Sequence, residues 1–175
     1  MIVREARLED VQGIAMVVVD TWLSKYQGLM PDEHLNKLSY VDRERSFTEL
    51  LQNPSDDKFK FVVENNIGKI IGVAIGGLER SEQTIYKGEI YAIYVLEAYQ
   101  RNGLGKNLVR MAIEWLKGLN INSMIVWVLA GSKFRAFYES FGGQEADEKT
   151  FEYDEFTADL VAYGWEDLSK VVYSN

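Results

Sequence analysis

The residues between positions 91 and 117 have types and spacing that suit the binding of an anion. A β-branched and aromatic run over residues 91–95 precedes a polar turn, and Gly103-Leu104-Gly105-Lys106 then opens an amphipathic segment. The two glycines let a ligand approach the backbone, where the first N–H groups of a helix have no partner within the helix. These amides, with the charges of Arg101 and Lys106, favour a phosphate. The sequence therefore predicts a site for a diphosphate-bearing ligand.

This glycine turn matches neither of two common phosphate motifs. Asn107 follows Lys106 where a Walker loop needs Ser or Thr, and Leu108 stands where a dinucleotide fingerprint needs a small residue. The alternative is an ordinary turn and helix start. Charge favours the anion site, because residues 100–140 carry six basic and two acidic side chains, a balance of +4 in a chain of net charge -8.

Composition limits the class of protein. With 175 residues and 47% apolar content, we expect one domain over residues 1–175. The absence of cysteine excludes disulfides and thiolate catalysis, and the single histidine, His34, is predicted at the surface near a helix start, so we expect no metal site. The acidic balance argues against nucleic-acid binding. The charged first ten residues and the lack of a long apolar run predict a cytoplasmic protein that does not bind membranes.

Hydrophobic periodicity predicts alternating helices and strands that form a mixed α/β sheet. Helices are expected over residues 9–27, 31–51, 103–119 and 132–141, and strands over 59–64, 69–76, 89–95, 124–129, 150–153 and 159–165. The first two strands form a hairpin through residues 65–68, and a polar loop covers 79–88. The buried face of the third helix is predicted to carry Leu104, Leu108, Met111, Trp115 and Leu119.

Two ordered blocks of sequence resemble the GNAT superfamily of acetyl-CoA-dependent N-acetyltransferases. The first is Gln100-x-x-Gly103-x-Gly105 after the strand of residues 91–95, similar to the pyrophosphate loop of that family. The second is Trp127-Val128-Leu129 with the helix segment of residues 135–142. There are two departures: Ser132 stands where many relatives have asparagine, and Gly143 where an aromatic residue usually follows the glycine.

The resemblance implies a fold and a cofactor. The fold is a single-domain, mostly antiparallel mixed sheet with a splayed central strand pair and helices on both faces. Acetyl-CoA would be the co-substrate, its pantetheine arm lying between the strand that ends near Val95 and the strand of residues 124–129. The amide of Val95 would polarise the thioester carbonyl as an oxyanion-type donor. The implied cofactor-binding residues are Ile93, Tyr94, Val95, Gln100, Arg101, Asn102, Gly103, Leu104, Gly105, Lys106, Ser132 and Phe137.

Glu89 is the candidate general base. An alkyl ammonium must lose a proton before its nitrogen can attack, and a carboxylate can accept that proton through a water. Glu89 stands eleven residues before Gln100, the spacing of the glutamate base in a histone-acetylating branch of the family. The alternative is an exposed carboxylate at a strand edge.

Tyr138 is the candidate for stabilising the thiolate that departs from the acetyl group. The family typically points a tyrosine hydroxyl from this helix at the cofactor sulfur. The alternative is core packing, because Tyr138 shares a predicted helix face with Phe134, Phe137 and Phe141.

The amine acceptor is less defined. Nine acidic residues and a single lysine, Lys149, lie between Glu145 and Asp167, a segment that borders the acceptor cleft in relatives. An acidic rim would attract a cationic small molecule or a peptide amine, and the alternative is a solvated hairpin. Trp22, Tyr26 and the loop of residues 86–88 are further candidates for lining the cleft.

The sequence is thus interpreted as an N-acetyltransferase that passes acetyl directly to a primary amine in a ternary complex. The alternatives are a non-catalytic acyl-CoA sensor and a domain that binds another phosphate-bearing ligand. An aromatic content of 13% leaves room for a homodimer contact.

Overall fold

Seven strands and five helices form the described part of the chain, residues 1–53, 55–81, 85–153 and 156–171 of a computed structural model. Their order is β1 (Ile2–Glu5), α1 (Val11–Lys25), α2 (Asp32–Asn36), α3 (Tyr40–Gln52), β2 (Lys58–Glu64), β3 (Ile70–Leu78), β4 (Gly88–Val95), α4 (Leu104–Gly118), β5 (Met124–Leu129), α5 (Arg135–Glu139), β6 (Gln144–Tyr153) and β7 (Phe156–Trp165).

All seven strands belong to one sheet, in the order β1-β2-β3-β4-β5-β7-β6. Every neighbouring pair is antiparallel except β4 and β5. These two strands pair only from Gly88↔Met124 to Ile90↔Val126, while β5 stays paired with β7 as far as Leu129↔Leu160. The predicted mixed, mostly antiparallel sheet with a splayed central pair is confirmed.

Helices cover both faces of the sheet because both faces are apolar. On one face, α4 buries Leu108, Ile113 and Leu116 against Ile90 of β4 and Val126 of β5. On the other face, α1 packs against β2 and β3, with α3 beside it. We call these the α4 face and the α1 face. Beyond Ile90 and Val126, β4 and β5 separate, and we call the gap between them the parting.

Several predicted boundaries differ from the structure. Strand β1 was not predicted, because its four residues alternate too briefly to signal a strand before β2 pairs with it. The predicted helix over 31–51 is two helices, and the Ser39 hydroxyl caps the second by accepting the Asp42 N–H at 3.2 Å. The last two strands are longer than predicted, and α5 is shorter.

The predicted buried face of α4 was also partly wrong. Leu119 is 44% exposed, beyond the end of the helix, while Ala112, Ile113 and Leu116 fill the core. Met111 and Trp115 are only half-buried. Leu104 and Leu108 are buried as predicted, and beyond them the buried face runs one position away from the expected one. Among the described residues, every helix falls short of the length or the hydropathy that a membrane span requires.

Candidate active site

The parting of β4 and β5 opens into a cavity of about 2010 Å³. Its lining comes from both faces of the sheet, including α4 and α5 on one side and α1 and α3 on the other. Of the fourteen site residues proposed from the sequence, all but Glu89 and Asn102 line it. The structure thus brings together side chains separated by up to 45 residues, from Ile93 to Tyr138.

The free edge of β4 carries backbone donors into this cavity. Leu96 donates its N–H to Ile71 of β3 at 3.0 Å, so strand alternation turns the N–H groups of Ile93 and Val95 towards β5. Because the β4–β5 ladder ends at Ile90, no described strand pairs with these two groups. The Val95 carbonyl accepts the Gln100 side-chain amide at 2.8 Å, which holds the following turn against the strand.

The turn before α4 has the backbone shape of an anion-binding nest. Arg101 and Gly103 both have positive φ, +61° and +75°, and a non-glycine residue rarely takes this conformation outside sites that require it. The N–H groups of residues 101–105 find no acceptor in the described chain, and the first helical bond runs from Asn107 to Gly103. Asn102 does not line the cavity, and its side-chain amide donates to the carbonyls of Tyr99 and Gln100. The free backbone N–H groups of residues 101–105 fit a diphosphate.

Gly105 keeps this nest open towards α5. A Cβ at position 105 would lie 3.1 Å from the ring of Phe137. Leu104 is buried in the core of the α4 face, so only its backbone can serve a ligand. Lys106 is half-buried at the start of the helix.

Tyr138 lies on α5 at the edge of the parting. Its ring is buried between Phe137 at 5.2 Å, Tyr163 at 5.9 Å and Trp165 at 6.5 Å. Burial, with the nearby Tyr94 phenol, raises the pKa of Tyr138 above its ordinary range. Its hydroxyl has no hydrogen-bond partner in the described chain, although the residue lines the cavity. Core packing and an available donor are therefore both present.

Glu89 is buried, which excludes the exposed strand-edge alternative. Arg80 covers the Glu89 carboxylate, and its Nε and Nη2 donate to the two carboxylate oxygens at 3.0 and 2.6 Å. Arg80 lines the cavity in place of Glu89 and lies over the Tyr91 ring at 4.0 Å. Burial, then Glu89, raises the pKa of Tyr91 to about 12. Arg80 was not among the predicted site residues; its charge, opposite to that of Glu89 across the β3–β4 connection, was the available signal.

The α1 face contributes an aromatic wall. Trp22 and Tyr26 meet edge to face at 5.0 Å and line the cavity together with Tyr94. Burial, then Tyr94 and Tyr138, raises the pKa of Tyr26. Arg43 of α3 lies over the Trp22 ring at 5.8 Å. The predicted lining role of Trp22 and Tyr26 is confirmed.

Two of the candidates for the cleft border do not line the cavity formed by the described residues. Tyr86 is buried against β5 and β7, and the loop of residues 86–88 does not line the cavity. The acidic rim is absent from the lining formed by described residues, to which the segment 145–167 contributes Lys149, Phe151, Ala158 and Leu160. Asp154 and Glu155 lie outside the described residues. Lys149 places its Nζ 3.7 Å from the centre of the Trp127 ring.

The two departures from the family pattern have local explanations. Ser132 is buried at the cavity, and its hydroxyl accepts the N–H of Phe134 at 3.2 Å, which shapes the start of α5. At Gly143 a Cβ would lie 2.7 Å from Trp165, whose indole N–H donates to the Phe141 carbonyl at 3.0 Å. Trp165 therefore fills the space beside Gly143.

His34 also differs from its predicted surface position. It is half-buried in α2 and lines the cavity. Within the residues that the structure describes, no group of three or more His, Asp or Glu side chains could hold a metal ion.

A splayed strand pair, an anion nest and a buried tyrosine lie together in one cavity, which is the arrangement that the resemblance to acetyl-CoA-dependent transferases implies. The model of the Acetyltransferase (GNAT) family matches residues 21–143, and the chain belongs to this family. It is 38% identical to the uncharacterized N-acetyltransferase YuaI of Bacillus subtilis (strain 168) over 167 residues, 95% of this chain and 94% of YuaI.

Solved structures share this fold. The paia N-acetyltransferase of Thermoplasma acidophilum in complex with coenzyme A superposes with a TM-score of 0.71 at 15% identity, covering 94% of this chain and 98% of its own. The yncA protein of Salmonella typhimurium with its cofactor acetyl-CoA gives 0.70 at 19% identity, covering 100% and 98%. The chain is an enzyme, an acetyl-CoA-dependent N-acetyltransferase. This finding favours the enzyme over the sensor and over other phosphate ligands.

Proposed function

We propose that the chain transfers acetyl from acetyl-CoA directly to a primary amine while both are bound. One observation carries the proposal: Tyr138 and the unpaired N–H of Val95 border the same parting, in a cavity that reaches both faces of the sheet. At about 2010 Å³ the cavity exceeds the roughly 300–1,000 Å³ of a pocket for one small ligand, so there is room for two. The chain has no cysteine to carry the acetyl group in between.

The nest before α4 would hold the coenzyme. Its backbone donors, the dipole of a 15-residue helix and Arg101 all favour the negative charge of a pyrophosphate. The pantetheine arm would run along the free edge of β4, bonding to the main chain of Ile93 and Val95. The thioester accepts the amine nitrogen at its carbonyl carbon, so a C–N bond forms, the C–S bond breaks, and the products are an N-acetyl amine and coenzyme A.

Val95 and Tyr138 would stabilise the charges that develop in this exchange. The Val95 N–H would donate to the thioester oxygen as it gains negative charge. The Tyr138 hydroxyl would donate to the departing sulfur. Because its pKa is raised, Tyr138 stays protonated through the neutral range and serves as a hydrogen-bond donor.

Glu89 stays the candidate for removing the ammonium proton, through a water at the cleft. Its carboxylate is held by Arg80, so this role requires the guanidinium to move aside. The Arg80 side chain is 61% exposed, which leaves it space to do so. If Arg80 stays in place, Glu89 instead fixes the position of Arg80 on the cleft wall.

The test measures release of coenzyme A thiol from acetyl-CoA across a panel of amines, in the wild type and in Tyr138→Phe. We expect turnover of at least one amine class, and a kcat lowered by about 100-fold in Tyr138→Phe with unchanged acetyl-CoA affinity. Tyr40→Phe is the matched control, because Tyr40 is exposed and bonds to Asp20. Acetyl-CoA binding without consumption of any amine, or a Tyr138→Phe variant as fast as the wild type, would contradict the proposal.

A further inference from the structure

The two ends of the cavity differ in which of their charges are already paired. Eight lysine or arginine side chains line it in the described chain, against two carboxylates, Asp42 and Glu97. Both carboxylates are engaged: Asp42 with Arg45 at 3.6 Å, and Glu97 with Lys25. The lining is therefore cationic, although the chain as a whole carries a net charge of -8.

The cations at the α4 end have an evident ligand. Arg101 belongs to the nest and Lys106 to the first turn of α4, where a diphosphate fits. An anion bound there accounts for positive charge on that side of the sheet. It does not account for positive charge on the opposite face.

Two cations of the α1 face have no counter-charge. Arg43 lies over Trp22 and Lys149 over Trp127, and neither forms an ion pair with any described residue. Trp22 packs with the core of the α1 face. Trp127 lies between Val126 and Val128, which pack on the α4 side, so strand alternation turns it to the α1 face.

These cations also lie over the ring faces on which a cationic ligand would otherwise bind. Arg43, Lys149 and Arg80 cover three aromatic rings of this wall, at 5.8, 3.7 and 4.0 Å. A polyamine entering here would find the ring faces taken and like charges beside them. An anion would instead meet two unpaired cations and the phenols of Tyr26 and Tyr94.

We infer that the acceptor is a primary amine that also carries an oxyanion, such as the carboxylate of an amino acid. The inference rests on the proposed function, since the α1 end is the acceptor end only if acetyl-CoA occupies the other. The acid group binds between Arg43 and Lys149, with the amine directed at the parting. This class is the opposite of the cationic acceptor predicted from the acidic hairpin.

The experiment compares acceptors that differ only in the acid group: phenylalanine, phenylalaninamide and phenethylamine, with a matching leucine series. Turnover is followed by thiol release, and binding to the protein saturated with coenzyme A is followed by calorimetry. We expect kcat/KM and affinity to favour the acid by about 10- to 100-fold, the range of a hydrogen bond to a charged group. The amides keep the size of the acid group without its charge. Phenethylamine controls for the basicity of the amine, because the amides are weaker bases than the acids whereas the simple amine is not.

In the Arg43→Gln and Lys149→Met variants, kcat/KM should fall more with the acids than with the amides. Methionine keeps the aliphatic packing of Lys149 on Trp127. Arg45→Gln is the matched control, since Arg45 is exposed on the same helix and does not line the cavity.

Three results would overturn the inference. If acids are turned over no faster than the amides while amines are still consumed, the proposed function stands but the acceptor does not need an acid group. If the variants keep the preference for acids, Arg43 and Lys149 do not bind the acid group. Weaker coenzyme A binding in both variants, without a change in acceptor preference, would assign these cations to the coenzyme. Tight binding of acids without any turnover would contradict the proposed function, and with it the acceptor role of the acid, even though Arg43 and Lys149 would still bind the acid group.

Discussion

Two arginine–carboxylate pairs in this protein use the same groups in different surroundings. Asp10 accepts from Arg4 at 2.7 and 2.8 Å, and Glu89 accepts from Arg80 at 3.0 and 2.6 Å. Both carboxylates are buried. Arg4, however, is only 18% exposed and also bonds to Glu64, whereas Arg80 is 61% exposed and touches the cleft.

The difference indicates how one ion pair serves stability while the other is available to a site. The Arg7 amide adds a third bond to Asp10 at 2.7 Å, so the pair joins β1, β2 and the start of α1 through groups that cannot move singly. Glu89 depends on one partner that water can reach. Exchange of that partner for solvent is cheaper, because an exposed guanidinium keeps most of its hydration.

Asp10→Asn should produce the largest effect on stability. It leaves Arg4 half-paired in a buried position, and we expect the free energy of unfolding to fall by about 3–5 kcal/mol. Urea unfolding measures this, and Glu9→Gln, at a position 72% exposed, is the control. A loss no larger than that of the control would show that the Asp10–Arg4 pair does not stabilise the fold.

Glu89→Gln should lower the rate of turnover more than it lowers the stability of the fold. If Glu89 accepts the ammonium proton, kcat falls by about 100-fold, while the free energy of unfolding falls by less than about 2 kcal/mol. Steady-state kinetics and urea unfolding on one preparation give both values. An unchanged kcat would leave Glu89 as the anchor of Arg80 alone.

Replacing each arginine by lysine tests the same comparison from the other side. Lysine cannot make the bidentate contact, so Arg4→Lys should cost about 1–3 kcal/mol of unfolding free energy. Arg80→Lys should cost less than about 1 kcal/mol, since its head is largely solvated. Equal losses in thermal or urea unfolding would mean that exposure of the arginine does not distinguish the pairs.

The smallest effect is expected in the dependence of stability on pH in the acidic range. Burial favours the neutral acid at Asp10, but hydrogen bonds from Arg4 and the Arg7 amide hold the pKa of Asp10 below its usual 3.8. A depressed folded-state pKa contributes stability above the unfolded-state value and loses it as pH falls through the folded-state value. Urea midpoints of Asp10→Asn should therefore fall less steeply than those of the wild type below about pH 4. Parallel curves would contradict this assignment.

The glycine turn before α4 and the order of most helices and strands along the chain could be predicted because their signals are local. Two glycines beside basic residues, and apolar periods within single elements, are read from neighbours in sequence. Strand β1 could not be predicted, because four residues with Arg4 among them become a strand only when β2 supplies the partner.

The lining of the cleft required the fold for the same reason. Lys149 meets Trp127 through the pairing of β5, β7 and β6, which no local pattern encodes. Charge counted along the hairpin suggested an acidic rim, but alternation along β6 turns Lys149 and Phe151 to the cavity and the intervening Thr150 to the other side. Composition gave the total charge of the segment and not the side on which it lies.

The early end of the β4–β5 ladder also has a consequence for hydrogen exchange. Along one strand, the amides of Tyr94 and Leu96 face β3, while those of Ile93 and Val95 face the parting. Amide protons should therefore exchange slowly and quickly in alternation over four consecutive residues. A coenzyme arm bonded to the open edge would slow the fast pair and leave the slow pair unchanged, so the occupancy of the cleft can be followed at single residues without turnover.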